Sequence, residues 1–226
     1  HAKILRIDTV AAKAAPGVLL VLTGADWDET GYTDFPVLVP RQKRDGTPMG
    51  RAPRKGLTGD RVRMVGDAVA FVVAETLLQA KDAAELIEID YGVLPSAATT
   101  GTAMRPGAPT LWDDCPTNEA FFFTLGNKVA VDAAFARAHH VTKVSYTLNR
   151  VSANAMEPRV STGDYDRRTG RYTLYTSAQS THPIRANIAG IMNMPEADLR
   201  VITGDVGGAF GMKGDLYQDQ GLVLWA

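Results

Sequence analysis

Cysteine is nearly absent from this chain: Cys115 is the only one in 226 residues. That excludes an intrachain disulfide framework and any zinc or iron–sulfur centre built from cysteines. Long apolar runs are missing too. None approaches the roughly 18 residues that span a bilayer, so no transmembrane helix is expected. Neither sign of charge dominates, with 24 Lys+Arg against 25 Asp+Glu, so no global field draws the chain to nucleic acid or anionic lipid. His139, His140 and His182 lack metal-ligand spacing. Neither a Rossmann fingerprint nor a P-loop occurs, and there is no internal repeat or low-complexity tract. A single cysteine and no visible secretion signal fit a reducing compartment, with the cytoplasm as the default.

What is present is ordinary globular material, 45% hydrophobic and 22% charged, enough for one large or two small domains. The first half reads as α+β. Ala2–Asp8 alternates as a strand, Thr9 caps a short helix over Val10–Ala15, and Val18–Leu22 is a continuous apolar strand. Residues 25–60, with Pro36, Pro40, Pro48 and Pro53, predict a long irregular excursion. Arg61–Met64 and Val69–Ala74 read as strands separated by a Gly66-Asp67 turn. Thr76 caps a helix carrying Leu77, Ala80, Ala84 and Ile87, and Glu88–Tyr91 is an exit strand.

Residues 96–127 are Gly/Pro-punctuated and read as a linker. Lys128–His139 predicts a helix and Val141–Leu148 a half-buried strand. Ser161–Asp166 and Arg171–Thr176 flank Arg167-Arg168-Thr169-Gly170 as a hairpin. Pro183–Met192 follows as a helix, then a strand over Leu199–Thr203. The chain starts without Met and closes on the apolar Leu222–Ala226, which reads as a segment of a longer polypeptide whose last run something must cover.

Three stretches are candidates for chemistry. Gly204–Gly214 holds five glycines in eleven residues, so its backbone can approach a ligand and turn N–H groups inward. An ordinary tight loop explains the glycines but not Phe210, since a large apolar side chain is poor turn material. Ser177-Ala178-Gln179 precedes a helix that Ser180 or Thr181 can cap, and the Gln179 amide can donate two hydrogen bonds. A capped helix with an exposed glutamine is the plainer reading. Residues 41–63 hold Arg41, Lys43, Arg44, Arg51, Arg54, Lys55, Arg61 and Arg63, either a solvated loop or a phosphate-binding stretch. Glu157 is a lone carboxylate among apolar residues, with Arg150 and Arg159 as candidate partners. Cys115, flanked by Asp113 and Asp114, sits in the wrong electrostatic setting for a nucleophilic thiolate.

Together these residues resemble the molybdenum-binding large subunit of the xanthine dehydrogenase, aldehyde oxidase and aerobic carbon monoxide dehydrogenase family. Val65–Thr76, with Ala80, Asp82, Ala83 and Ala84, then Glu88–Tyr91 and Leu94-Pro95, is similar to that family's α/β hammerhead domain. Val206–Lys213 resembles its glycine-rich molybdenum-site loop, and Ser177-Ala178-Gln179 its cofactor glutamine segment. The resemblance covers nearly the whole chain. It implies an α+β fold: a hammerhead domain over 1–95, a linker over 96–127, and the first part of a molybdopterin-binding domain over 128–226.

The resemblance also implies an oxidoreductase. A molybdenum–molybdopterin cofactor, in the cytosine dinucleotide form, oxidises an aldehyde, an N-heterocycle or carbon monoxide with oxygen from water. Gln179 then donates to an oxo ligand of the metal, while Gly207, Gly208, Ala209, Phe210 and Gly211 supply backbone N–H groups and a wall. No side chain of this sequence is assigned as a metal ligand. Electrons pass to 2Fe-2S clusters and FAD on an iron–sulfur subunit and an FAD subunit or on other segments. The remainder of the large subunit supplies the base glutamate, and the assembly is a dimer of heterotrimers. The isolated chain is expected to be inactive, with a small-molecule substrate and no nucleic-acid partner.

Two departures stand out. Ala209 occupies a position where the family usually has glycine, tolerable if its φ stays negative. Gly214 follows the loop lysine where the purine-oxidising branch has glutamate, which disfavours a xanthine-type substrate. Two readings from other classes stay open: a noncatalytic interaction module, and a phosphate or nucleotide binder using residues 41–63.

Overall fold

The computed structural model describes every residue except Leu38, Arg51 and Pro53. Arg51 of the basic stretch and Pro53 of the expected excursion therefore lie outside the described residues.

Strand β1 (Ala2–Asp8) is central in a three-stranded antiparallel sheet, between β3 (Arg61–Val62) and β5 (Glu88–Val93). Helix α1 (Val10–Lys13) leaves β1 at once. Its first N–H is accepted by Asp8, while the Thr9 side chain makes no capping bond. Strand β2 (Val18–Thr23) pairs antiparallel with β4 (Ala70–Ala74). The strands around Gly66-Asp67 thus join different sheets and form no hairpin. The Asp67 carboxylate instead accepts the N–H groups of Arg63 and Met64 and tightens the turn between them.

The excursion after β2 is not wholly irregular. Helix α2 (Gly24–Glu29) opens it, because Asp26 reaches back to the Thr23 N–H and hydroxyl, a capping pattern legible in Thr23-x-x-Asp26. Helix α3 (Leu77–Glu85) starts at Thr76, whose hydroxyl accepts the Gln79 N–H. Helix α4 (Thr100–Ala103) is a single turn within the 96–127 segment.

Helix α5 (Lys128–Arg137) is capped by Asn127 and stops before His139 and His140, which are exposed. The strand expected over Val141–Leu148 does not form: the segment is irregular and exposed throughout. Its alternation suits a pleated surface, but a strand exists only where a neighbour takes its N–H and C=O groups, and no described segment pairs with it.

The last unit is regular. Strands β6 (Ser161–Asp166) and β7 (Arg171–Thr176) form the expected hairpin, with Asp166 accepting the Thr169 and Gly170 N–H groups. Helix α6 (Thr181–Ile191) starts two residues before Pro183 and crosses over to β8 (Leu199–Ile202), which runs parallel to β7. Helix α7 (Gln218–Trp225) carries the final apolar run, and the chain's own core covers it. Leu222 and Leu224 are buried with Leu174, Ile188 and Leu199, while Trp225 meets Trp27 edge-on at 5.4 Å. The same cluster takes in Trp27, Phe35 and Leu57 from the first half, so one hydrophobic core underlies both halves.

Candidate functional site

In β7–α6–β8 the two parallel strands end side by side. The loops leaving their C-terminal ends are Ser177–Ser180 and Thr203–Tyr217, where ligands gather in open α/β arrangements. The Thr203 hydroxyl donates to the Thr176 carbonyl at 2.8 Å and ties the strand ends together. The Gln179 N–H donates to the Lys213 carbonyl at 2.9 Å, which fastens the glutamine segment to the glycine loop. The Gln179 side chain is exposed beside Gly214, its Oε1 3.5 Å from where a Cβ of that glycine would stand. The sequence-predicted residues therefore lie together.

The loop is held in shape from within. Met212 N–H donates to Ala209 C=O at 2.9 Å, Gly214 N–H to Gly211 C=O at 3.2 Å, and the Tyr217 hydroxyl to Met212 C=O at 2.6 Å. Gly208 and Gly211 sit at φ +95° and +86°, where an L side chain is strained. Phe210 between them also has a positive φ, 51°, and its ring is 79% exposed. A bulky residue there costs about 1–2 kcal/mol of backbone strain, and an exposed ring returns little burial. Its ring edge lies 3.1 Å from the place a Gly208 Cβ would occupy, so that glycine makes room for the ring. Ala209 does not share the positive φ, which fits alanine at that position.

Glu157 closes the loop from the other side. Its carboxylate accepts the Gly207 N–H, and its own N–H donates to the Gly207 carbonyl at 3.2 Å. Neither arginine expected as its partner takes that role. Arg159 pairs with Asp219 at 2.9 Å and lies over the Tyr217 ring. The cation facing Glu157 is Lys213, wholly buried, with Nζ 3.5 Å from Oε2. The Gly207 N–H first, then the Ser177 hydroxyl and the Lys213 charge, hold the Glu157 carboxyl below its ordinary range despite the opposing effect of desolvation. Sequence reasoning names Lys213 and Ser177 within the two motifs but does not join them to Glu157. The available signal was that a carboxylate among apolar residues needs a cation, but the sequence did not say which one.

The basic stretch is occupied elsewhere. Arg41, Arg44 and Arg63 lie over the rings of Phe123, Phe122 and Trp112. Arg44 also pairs with Glu119, Arg61 with Asp113 and Lys55 with Asp28, while Arg54 donates to the Leu216 carbonyl. These cations pack the 112–123 segment and the core, which removes the main support for a phosphate-binding reading. Cys115 is buried, with Sγ directed at the Glu119 carbonyl.

Residues 111–226 match the molybdopterin cofactor-binding domain, and residues 1–95 match the a/b hammerhead domain of aldehyde oxidase and xanthine dehydrogenase. The chain belongs to the molybdenum hydroxylase large-subunit family. It is 34% identical to the carbon monoxide dehydrogenase large chain of Afipia carboxidovorans, covering 96% of this chain and 27% of that one. It is 32% identical to the nicotine 6-hydroxylase large subunit of Paenarthrobacter nicotinovorans, over 99% of this chain and 26% of that one. Quinoline 2-oxidoreductase of Pseudomonas putida 86 superposes with a TM-score of 0.84 at 30% identity, over 99% of this chain and 28% of that one. The chain thus spans little more than a quarter of the length of these relatives.

Among the described residues no group of three or more His, Cys, Asp or Glu stands ready to hold a metal, and no helix is long and apolar enough to cross a membrane. What the site offers is a set of neutral donors, the Gln179 amide and loop N–H groups, around a glycine-built opening. That set fits a molybdenum–molybdopterin cofactor, whose metal is carried by the cofactor's own atoms and needs only donors aimed at it.

Proposed function

We propose that this chain forms the first part of the cofactor pocket in a molybdenum-dependent oxidoreductase. The carrying observation is Phe210: an exposed aromatic ring on strained backbone, set between Gly208 and Gly211 of the loop that Gln179 is fastened to, has no role in the core. Gln179 and the N–H groups of residues 209–211 hold and orient the cofactor, the Gly207 and Gly208 N–H groups being taken by the Glu157 carboxylate and the Val206 carbonyl, and Phe210 walls the space where a small substrate approaches. The cofactor supplies the two-electron oxidation when bound. Glu157, committed to Gly207 and Lys213, is not free to serve as a base. That role falls to another residue of the large subunit, and the isolated chain is inactive.

In this reading residues 1–95 are the hammerhead unit, 96–127 a linker and 128–226 the opening of the cofactor domain. The substrate is an aldehyde, an N-heterocycle or carbon monoxide, with Gly214 arguing against a purine. The cofactor is the cytosine dinucleotide form. Partner subunits carry 2Fe-2S clusters and FAD in a dimer of heterotrimers in the cytoplasm. The test is Gln179→Ala in the assembled enzyme: kcat falls by about 10²–10³, the size of losing one preorganised donor, while the cofactor stays bound. Unchanged activity favours a noncatalytic interaction module instead.

A further inference from the structure

Lys213 is the node at which three separate stretches of the site meet. Its carbonyl accepts the Gln179 N–H, its side chain reaches Glu157, and its backbone continues the glycine loop. The side chain has no exposed surface, and Nζ makes no hydrogen bond of ordinary length. A buried ammonium is retained only where a carboxylate compensates it, and Glu157 is the one that does. Glu157 in turn grips Gly207 by main chain and side chain, so closely that a Cβ on Gly207 would stand 2.7 Å from the Glu157 Cβ.

We propose that Lys213 and Glu157 form a clamp that positions the glycine loop: the buried ammonium holds the carboxylate under the Gly207 N–H, and this fixes where Phe210 and the neighbouring N–H groups point. Lys213 is a positioning residue and touches neither substrate nor cofactor. The internal turns of the loop, from Val206, Ala209 and Gly211, join loop residues only to one another; Glu157 ties the loop's entry to a separate stretch of the chain. The clamp stands on this geometry alone, whereas its service to a cofactor rests on the function proposed above.

Amide hydrogen exchange on the 226-residue chain tests it, read at Gln179, Gly207, Met212 and Gly214, with the β6–β7 hairpin as internal reference. Glu157→Gln is expected to accelerate the loop amides by about tenfold or more while the hairpin amides change less than about twofold. Lys213→Met does the same, and the double variant loosens the loop by less than the product of the two single effects, because neither charge is left buried without its partner. If Lys213→Met does not fold, Glu157→Gln carries the test. Loop exchange that stays at the wild-type rate, or rises in step with the hairpin, overturns the clamp. In the assembled enzyme the Glu157→Gln variant is expected to retain molybdenum but give an altered Mo(V) electron paramagnetic resonance spectrum. Absence of molybdenum from the wild-type enzyme would refute the functional reading and leave the exchange result to decide the clamp.

Discussion

Phe210 and Glu157 show how single residues in this site trade stability against geometry. Phe210→Gly removes a strained positive φ and forfeits only an exposed ring. Its unfolding free energy is expected to stay level or rise by about 1 kcal/mol in denaturant titration, while cofactor occupancy of the assembled enzyme falls. A loss of stability larger than about 1 kcal/mol would show that the ring packs against something. Glu157 titrates below the ordinary carboxyl value of 4.5, with the Gly207 N–H as the main cause. A depressed carboxyl contributes stability that is complete above the unfolded value and is lost as pH falls through the folded one. The wild-type melting temperature is therefore expected to drop more steeply below about pH 4.5 than that of Glu157→Gln. Parallel curves would contradict this. The sequence marks Glu157 as anomalous, and the resemblance singles out Gln179 and Phe210, which the glycines and the helix start alone do not. The Lys213 partnership is not legible there, because it forms only when two loops fold together.

At the scale of elements, local chemistry was a good guide where it was self-contained. The helix beginning at Thr76 and the hairpin turning at Thr169-Gly170 follow from neighbouring residues and form as expected. The Val141–Leu148 strand failed because its alternation needs a partner that no local pattern provides. Helix α2 runs against the irregular stretch that the downstream prolines predict, because Thr23 and Asp26 cap it locally. The close approach of α7 to β6 was invisible in the sequence. A Cβ on Gly163 would fall on the Val223 carbonyl oxygen, so backbone and not a movable side chain stands in the way. Gly163→Ala is expected to destabilise the chain by about 1–3 kcal/mol in a chemical unfolding experiment. A neutral result would mean that α7 shifts freely on the sheet.

For the whole molecule, the α+β class and the family were legible from motif order, while the shared core was not. Trp27, Phe35 and Leu57 pack with Leu174, Leu216 and Leu222, joining halves that look separate along the chain. The same long-range packing weakens the phosphate reading of the basic stretch, by placing aromatic residues of the 112–123 segment against Arg41, Arg44 and Arg63. The central claim is that the strand ends of β7 and β8 shape a cofactor pocket. Elemental mass spectrometry for molybdenum on the assembled enzyme, purified from cells supplied with molybdate, tests it most directly. About one molybdenum atom per copy of this chain is the predicted result, one cofactor for each proposed pocket. A preparation that is folded and complete yet holds no molybdenum would contradict the account.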